Sequence, residues 1–589
     1  MSKLQDKLKG LTDAITRFPL TILFLLAAAI INAYDIGTES DPFSKYMLAC
    51  LVGASLSAVA QVAYERFFSK VSARLLLMGG VVLLTAGYYL IIMPAPTLSM
   101  EMMIRTAVAL FGLLFAFIWV PVIKSDISFN KSFMISFKSL FNSLFFSGVI
   151  FAGISIILTA TNELIFEIDS DSYAHSGNII FVLFAPMYFL SLIPIYLGLK
   201  DKGQEKVALK KEEIDKKASC PKFLEILISY ILIPLITVFT LILVTYIIKN
   251  VGGEFWKDNL LEPMLVSYSI TVILVYILAS ELENKFTVFF RKIFPKLLVP
   301  IVIFQIISSF LVINDTGVTH NRYFVILFGI FAAIVGLLLS FLSVRKNGLI
   351  AAVLIVFATI SIVPPVDAFT VSRVNQTDRM ETVLVKNNML ENNQIKPNDS
   401  ISDKDKQTIT TAIQYLSMME YTKKIDWIPD NFDVYQDFKK TFGFSEYQKP
   451  DEHYQGVYLG TDRSTPINIK DFDTFVTINL SMNEKNNEEK IFEFEKEGKQ
   501  YTMLKVFNKE QTLKLIGEND QELISFNTQE LYDRFSDYTA TKELISVDEA
   551  TFTKENQQAK ISIVVQNISL EKQNQQYNNA EIYLFVQIK

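Results

Sequence analysis

The stretch GLIAAVLIVFATISIVPPVDAFTVSRVNQTDRMETVLVKNN, residues 348–388, contains the change of composition that decides the fold. Its first half, residues 348–364, has no charged side chain and is long enough to cross a hydrocarbon core about 30 Å thick. From Val366 onward charged side chains become frequent. The sequence therefore predicts a membrane part that ends near residue 365 and a water-exposed part that follows it.

Similar apolar runs fill the chain before this stretch. A mean hydropathy of +0.31 and 51% apolar residues over 589 positions are typical of a membrane protein. We count eleven runs of about 17 residues or more without charge. They lie near residues 18–34, 46–63, 75–96, 106–123, 139–162, 178–199, 226–248, 264–280, 297–313, 323–344 and 347–364. These runs predict an all-α membrane bundle of about 11 transmembrane helices.

Charge divides the chain in the same place. From Val366 onward there are 26 Lys and Arg against 37 Asp and Glu, so the tail has a net charge of −11. The whole chain has a net charge of −6, so the membrane part has a net charge of +5. An acidic tail repels nucleic acid, so no nucleic-acid partner is predicted. The lipid bilayer is the partner that the composition predicts.

The short loops between the runs predict an orientation. One set of alternate loops carries 24 Lys and Arg, including the cluster of residues 200–222, and the opposite set carries five. Cytoplasmic loops of membrane proteins are enriched in Lys and Arg. This bias predicts a multi-pass membrane protein with a cytoplasmic N-terminus and an extracytoplasmic C-terminal domain.

The tail changes from helical to strand periodicity. A helical pattern follows Asn375, and a second helix is predicted to start at Ser402 as an N-cap. From about Tyr454 apolar residues alternate with polar ones, which predicts short antiparallel strands in a meander, with one helix capped by Asn527 or Thr528. We expect a transmembrane helical domain at 1–365, a helical collar at 366–424 and an extracytoplasmic α+β domain with an antiparallel sheet at 425–589.

Three residues at the start of the collar form a candidate ligand-binding site. Arg373, Gln376 and Arg379 are spaced by three, so they share one face of a helix that begins near Ser372. Arg322, among the few basic residues of the predicted outer loops, is added to this site. The arginines would bind a phosphate of a lipid or envelope polymer, or pair with acidic side chains nearby; both interpretations stay open.

Motifs for catalysis, metals and proton transport are weak in this chain. No hydrolase, zinc-protease or nucleotide-binding motif stands in a fitting context, so enzymatic activity is not predicted and no catalytic residue is assigned. Asp35, Glu39 and Asp41 invite comparison with membrane glycosyltransferases, but their loop has only about ten residues. The acidic run at 169–175 is interpreted as a solvated loop, so neither a metal nor a cofactor is predicted. No Asp, Glu, Lys, Arg or His lies centrally in a predicted span, which disfavours proton coupling.

Three segments resemble a known family. The runs GVTHNRYFVILFGIF (317–331), DAFTVSRVNQTDRMETVLVKNNML (367–390) and ISDKDKQTITTAIQYL (401–416) are similar to the DUF4153 family of bacterial multi-spanning membrane proteins. The resemblance covers the membrane part and the two helices after it. It implies an integral protein of the bacterial envelope, which we expect in the plasma membrane, and it implies no catalytic residues. The first hypothesis is a binding, sensing or permease-like role toward an envelope component. The alternatives are an enzyme acting on a lipid-linked substrate at the outer leaflet and a structural subunit with a membrane-protein partner.

Overall fold

The structure is a computed structural model of the 589-residue chain. It describes residues 2–38, 41–96, 98–199, 204–250, 261–429, 432–434, 436–447, 456–462, 465–482, 488–507, 510–536, 538, 543–571 and 577–589. The chain forms two compact units, Met1–Tyr447 and Gln448–Lys589, and each is described by itself. The sequence predicts three domains with boundaries after residues 365 and 424, which differ from the boundary between these two compact units. The three-domain division stays a prediction.

The described residues of the first unit form helices and one short hairpin. Its helices are α1 (Ser2–Arg17), α2 (Pro19–Thr38), α3 (Ser44–Phe67), α4 (Val71–Ile92), α5 (Met100–Trp119), α6 (Phe129–Leu164), α7 (Asp171–Asn178), α8 (Ala185–Leu192), α9 (Gln204–Ala218), α10 (Lys222–Ile226), α11 (Ile233–Asn250), α12 (Leu261–Leu278), α13 (Lys285–Thr316), α14 (His320–Phe341), α15 (Gly348–Ile362), α16 (Ala368–Lys386), α17 (Asp403–Met418) and α18 (Phe438–Phe442). The hairpin consists of β1 (Leu390–Glu391) and β2 (Gln394–Ile395).

Ten helical segments in the described part of the chain are long and apolar enough to cross a membrane. They coincide with ten of the eleven runs predicted from the sequence. The run predicted at residues 264–280 forms α12, whose apolar part is shorter than the others. The protein is therefore a multi-pass membrane protein with ten candidate spans, and the count of eleven stays a prediction.

Two of the spans contain a π-helical turn just before a proline. Ile179–Phe184 joins α7 to α8 ahead of Pro186, and Leu227–Leu232 joins α10 to α11 ahead of Pro234. Proline lacks an N–H, and its ring clashes with the carbonyl four residues earlier in a regular helix. A wider turn before the proline relieves this clash while the helix continues. These prolines therefore modify their spans without ending them.

Side-chain caps position the two helices after the last span. The Asp367 carboxylate accepts hydrogen bonds from the backbone N–H groups of Phe369 and Thr370 at 3.0 and 3.1 Å. α16 therefore begins directly after Asp367, earlier than the helical pattern after Asn375 predicts, because an aspartate cap satisfies the first free N–H groups of a helix. Ser402 caps α17, as predicted.

The second unit contains strands and one helix. Its elements are β3 (Gly456–Thr461), β4 (Thr474–Ser481), β5 (Glu488–Lys496), β6 (Lys499–Phe507), β7 (Gln511–Ile516), β8 (Glu522–Asn527), α19 (Gln529–Phe535), β9 (Glu543–Ile545), β10 (Thr551–Glu555), β11 (Ala559–Glu571) and β12 (Asn579–Ile588). The predicted helix after Thr528 is therefore present as α19.

The strands form two sheets in place of one meander. β5 to β8 are an antiparallel meander in chain order, whereas the other sheet has the order β4-β12-β11-β3-β9, with β10 paired to β11. Its β3–β9 pair is parallel, which differs from the prediction. Periodicity shows which side chains share a face and does not show which strands pair. One apolar core contains residues from both sheets, such as Leu513 and Leu584.

Candidate functional site

A buried ion cluster joins α5 to the start of α16. Arg105 donates from Nε and Nη2 to Glu101 Oε1 at 2.9 and 2.8 Å, and from Nη2 to Asp367 Oδ1 at 2.7 Å. The Arg105 side chain is 2% exposed and that of Asp367 is fully buried. Arg105 Nη1 also donates to the carbonyl of Ile362 at the end of α15. One planar guanidinium therefore holds three helix ends together.

The local sequence explains half of this cluster. Glu101 and Arg105 are four residues apart on α5, so they lie on one face of the helix. Ser99 caps the helix and accepts a hydrogen bond from its third residue at 3.4 Å. The span predicted at 106–123 began too late and left both charges in a loop. Their spacing of four is the signal that would have extended the helix, whereas Asp367 is 262 positions away.

Tyr421 completes the cluster. Its hydroxyl donates to Glu101 Oε2 at 2.8 Å, and its side chain is fully buried. Burial and then the Glu101 carboxylate raise the pKa of Tyr421 well above its usual range, so the phenol stays a hydrogen-bond donor. The cationic groups of Arg373 and Lys424 lie 5.6 and 5.4 Å from the centre of the Tyr421 ring. They bring positive charge toward a cluster in which two carboxylates face one arginine.

A second polar chain connects α14, α16 and α17. The backbone N–H of His320 donates to the Tyr415 hydroxyl at 3.1 Å, and this hydroxyl donates to Ser372 Oγ at 2.8 Å. The His320 ring stacks on Phe369 with 5.8 Å between the centroids. Burial raises the pKa of Tyr415. The collar helices are thus attached to the ends of the spans through specific hydrogen bonds.

Two of the predicted site residues support the loop between α13 and α14. Gln376 is 1% exposed and donates from Nε2 to the carbonyls of Thr316 and Val318 at 3.0 and 3.2 Å. Arg379 Nη1 donates to Gln376 Oε1 at 3.3 Å. Gly317 between the accepting residues has a φ of 73°, and a Cβ there would lie 2.4 Å from Arg379 Nη1. Gln376 and Arg379 therefore stabilise a glycine turn.

The other two predicted residues have different neighbours. Arg373 lies against the Tyr421 ring, and Arg322 Nη1 lies 3.8 Å from Glu262 Oε2 of α12. The structure thus joins Gln376 with Arg379 and places Arg373 beside a cavity. Ligand binding by any of the four residues stays a prediction.

Two adjoining cavities of ≈ 300 and ≈ 570 Å³ form a groove beside α16, and their linings share three side chains. The groove, called the Trp427 groove below, is defined by Arg373, Asp378, Asn393, Lys424, Asp426 and Trp427. In the smaller cavity two cations, two carboxylates, an amide and an indole line one recess, and the larger cavity adds Lys440, Asp437 and Gln394. Burial lowers the pKa of Lys424, with the nearby Arg373 among the further causes.

A tight hairpin positions the amide of this groove. Asn392 and Asn393 join β1 to β2 with φ values of 52° and 58°. Asparagine tolerates this left-handed backbone better than most residues, and two such residues in succession make a hairpin turn that matches the strand twist. The dipeptide Asn-Asn is the local signal for this hairpin, which the predicted elements do not include.

The carboxylates of the first predicted outer loop do not form a described cluster. Asp35 is buried at the end of α2, and within the described part of the chain no hydrogen bond reaches its Oδ1. Asp41 is exposed, and Glu39 lies outside the described residues. Among the residues that the structure describes, no group of three or more His, Cys, Asp or Glu side chains is arranged to hold a metal ion.

These features define the class: a multi-pass membrane protein whose last span continues into a helical collar with a polar groove. The family model for the Domain of unknown function (DUF4153) matches residues 19–400, so the chain belongs to this family. The match includes all ten candidate spans, α16 and the Arg105 cluster except Tyr421. A comparison with curated proteins and one with solved structures each give no match.

Proposed function

We propose that this protein is a binding and sensing protein of the bacterial plasma membrane whose Trp427 groove takes a polar, hydroxyl-rich component of the envelope. The balanced lining of the groove is the observation that carries the proposal. Arg373 and Lys424 supply donors, Asp378 and Asp426 supply acceptors, and Asn393 supplies both. Sugar hydroxyls and amides also donate and accept, whereas a polyanion would meet two carboxylates.

A continuous chain of contacts connects the groove to the spans. Arg373 lines the groove and lies against Tyr421, whose hydroxyl donates to Glu101 of the buried cluster. Arg105 then contacts the ends of α5, α15 and α16. A ligand that moves Arg373 therefore acts on residues packed directly against the bundle, which is why sensing is proposed together with binding.

Calorimetric titration of the detergent-purified full chain tests the binding site. The probes are an uncharged N-acetylglucosamine tetramer and an anionic glycerol-phosphate polymer. We expect the uncharged probe to bind, and Asp378→Asn with Asp426→Asn to weaken it about tenfold, equal to about 1.4 kcal/mol. Glu381→Gln with Asp399→Asn removes the same charge from exposed positions outside the groove and should leave the affinity unchanged.

Two results would contradict the proposal. No binding of the uncharged probe, or equal weakening in both double variants, would favour the structural-subunit alternative. Binding of the anionic polymer alone would favour the phosphate interpretation of Arg373.

We further propose eleven spans, a cytoplasmic N-terminus and an extracytoplasmic C-terminal unit. The bias of basic loop residues supports this orientation. Contacts support α12 as a crossing helix, because Glu262 at its start lies near Arg322, while Ser280 beyond its end accepts a hydrogen bond from Arg291 of α13. Thiol labelling is the test: Cys220 should react only after permeabilisation, and Cys introduced by Ser536→Cys should react in intact cells. The reverse pattern would overturn the orientation, and Cys50 within α3 should stay unlabelled in both.

A further inference from the structure

A cavity of ≈ 1230 Å³ lies where α5, α12, α13 and α15 meet the loop before α6. Seven cationic and three acidic side chains line it. The cations are Lys124, Lys131, Lys211, Arg291, Lys292, Arg345 and Lys346. We call this recess the basic cavity. It is separate from the Trp427 groove, and the inference drawn from it is independent of the proposed function.

Most of these cations are not neutralised by a neighbour. Lys131 Nζ lies 2.8 Å from Asp215 Oδ1, and Arg291 Nη2 lies 3.5 Å from Glu283 Oε1. The other five cations form no ion pair with a carboxylate in the described part of the chain. Of the other two carboxylates of the lining, Asp126 and Glu281, the second accepts a hydrogen bond from Ser128 at 2.7 Å. The cavity therefore carries an excess of positive charge.

Buried hydrogen bonds hold the backbone beneath the cations. Asn347, which follows Lys346, donates from Nδ2 to Asn130 Oδ1 at 2.9 Å and to Ser280 Oγ at 3.2 Å. The carbonyl of Lys124 accepts from Arg66 Nη2 at 2.6 Å, and Lys124 has a φ of 54°. The backbone at two of the cations is thus held in place before any ligand binds, which lowers the entropy cost of binding.

The basic loop after α8 contributes to one wall. Lys211 belongs to α9, and α9 is joined to α6 by the Lys131–Asp215 pair. Lys138 Nζ of α6 also donates to the carbonyl of Ser219 just after α9 at 2.6 Å. A role in orientation alone requires basic residues on one side of a membrane and does not require them to surround one recess.

We propose that the basic cavity binds a phosphate-bearing anion, either the headgroup of an anionic phospholipid or a soluble polyphosphate. Lysine and arginine side chains form charge-assisted hydrogen bonds with phosphate oxygens. Trp119 lines the same cavity at the end of a span, where tryptophan is typical of the headgroup level. Basic pockets between transmembrane helices bind anionic headgroups by the same chemistry.

Thermal unfolding of the full chain in neutral detergent tests this inference. The probes are phosphatidylglycerol and phosphatidylcholine in mixed micelles, and inorganic pyrophosphate in solution. We expect phosphatidylglycerol or pyrophosphate to raise the melting temperature in a salt-dependent way, and phosphatidylcholine to leave it unchanged. Stabilisation by the anionic lipid alone assigns a headgroup site, and stabilisation by pyrophosphate assigns a site for soluble phosphates.

A matched pair of triple variants separates a site from diffuse surface charge. The cavity variant combines Lys124→Gln, Lys292→Gln and Lys346→Gln, and it should lose most of the stabilisation. The control combines Lys70→Gln, Lys285→Gln and Lys296→Gln, three exposed lysines from the same set of predicted cytoplasmic loops that do not line the cavity. The control should respond like the original chain. Equal responses of the two variants, or no stabilisation by either anionic probe, would overturn the proposal.

Discussion

The membrane spans and the C-terminal unit both bury an apolar core, but they differ in the large apolar side chains that they leave exposed. In the spans, Leu83 of α4 is 75% exposed, whereas Ser132 and Ser147 of α6 are fully buried. In the C-terminal unit, Ile563 and Leu584 are fully buried inside the sheets. Lipid is as apolar as leucine, so spans gain little by hiding leucine from it, while strands in water gain by burying theirs.

The two regions differ in the contacts that stabilise them. The C-terminal unit depends on its shared apolar core, as a water-soluble domain does. The membrane unit also has an apolar core, and it adds specific polar contacts such as the buried Arg105 cluster. Truncating an exposed apolar side chain of the spans should therefore cost less stability than truncating a buried one of the C-terminal unit.

The largest effect is expected from Arg105→Gln. It leaves the carboxylates of Glu101 and Asp367 buried without their cation, which should cost about 3–5 kcal/mol and strongly lower the melting temperature of the detergent-purified chain. Adding Asp367→Asn should recover part of the loss, because it removes one of the unpaired charges and asparagine still caps α16. Lys70→Gln, at an exposed lysine outside both cavities, is the control. An unchanged melting temperature for Arg105→Gln would refute a structural role for the cluster.

Truncating one leucine in each region compares the stability that a buried and an exposed leucine contribute. Leu584→Ala removes a fully buried side chain from β12 and should cost about 2–5 kcal/mol. Leu83→Ala removes an equal volume from a lipid-facing position and should cost about 0.5 kcal/mol. Calorimetry of the full chain in detergent compares the two variants. Equal losses would mean that Leu83 is covered by protein and not by lipid.

A charge at two equally exposed leucines tests what surrounds them. Leu83, near the middle of α4, and Leu544, in the edge strand β9, are each 75% exposed. Leu83→Lys should cost about 2.5–3.5 kcal/mol of membrane insertion and reduce the yield in the membrane fraction. Leu544→Lys should change stability by less than about 0.5 kcal/mol, because its side chain already faces water. If only Leu544→Lys lost yield, the assignment of Leu83 to lipid and of Leu544 to water would be wrong.

The smallest effect is expected at the collar surface. Partial burial raises the pKa of Asp405, but hydrogen bonds from Lys386, Asn387 and Ser402 outweigh it, and the net pKa lies below its usual value. The exposed Lys386 limits the gain, so Asp405→Asn should cost about 0.5–1 kcal/mol at neutral pH. Because the pKa of Asp405 is lower in the folded state, its ionised carboxylate stabilises the folded protein at pH values above the unfolded-state pKa, near 3.9. This stabilisation is lost as the pH falls through the folded-state pKa. The melting temperatures of the original chain and of Asp405→Asn should therefore differ at pH 7 and approach each other as the pH falls to 3. A difference that stays constant with pH would contradict the pairing of Asp405 with Lys386.

Local signals in the sequence predicted much of the fold. Ten of the eleven apolar runs are long apolar helices, and Ser402 caps α17. Each of these features depends on residues within about one turn or one strand of each other, so neighbouring side chains are sufficient to specify them.

The candidate site was harder to predict. The helical spacing grouped Arg373, Gln376 and Arg379, but neighbours from distant segments separate their roles: Gln376 and Arg379 contact the Gly317 turn, and Arg373 contacts Tyr421. A helix face shows which residues point the same way and does not show what lies opposite them. The Glu101 carboxylate accepts the hydrogen bond of the Tyr421 hydroxyl, although the two residues are 320 positions apart along the chain.

The sequence alone determined the solvent of each region. A backbone in lipid must satisfy its own hydrogen bonds, so long uncharged runs become helices, while alternating runs become strands with one wet face. Only the tertiary structure decided which charges meet. It brought Arg105 to Asp367 across 262 positions, collected Lys124, Lys292 and Lys346 around one cavity, and paired β3 with β9 in parallel. Such contacts depend on how finished helices and strands pack, and no local pattern of residues encodes that packing.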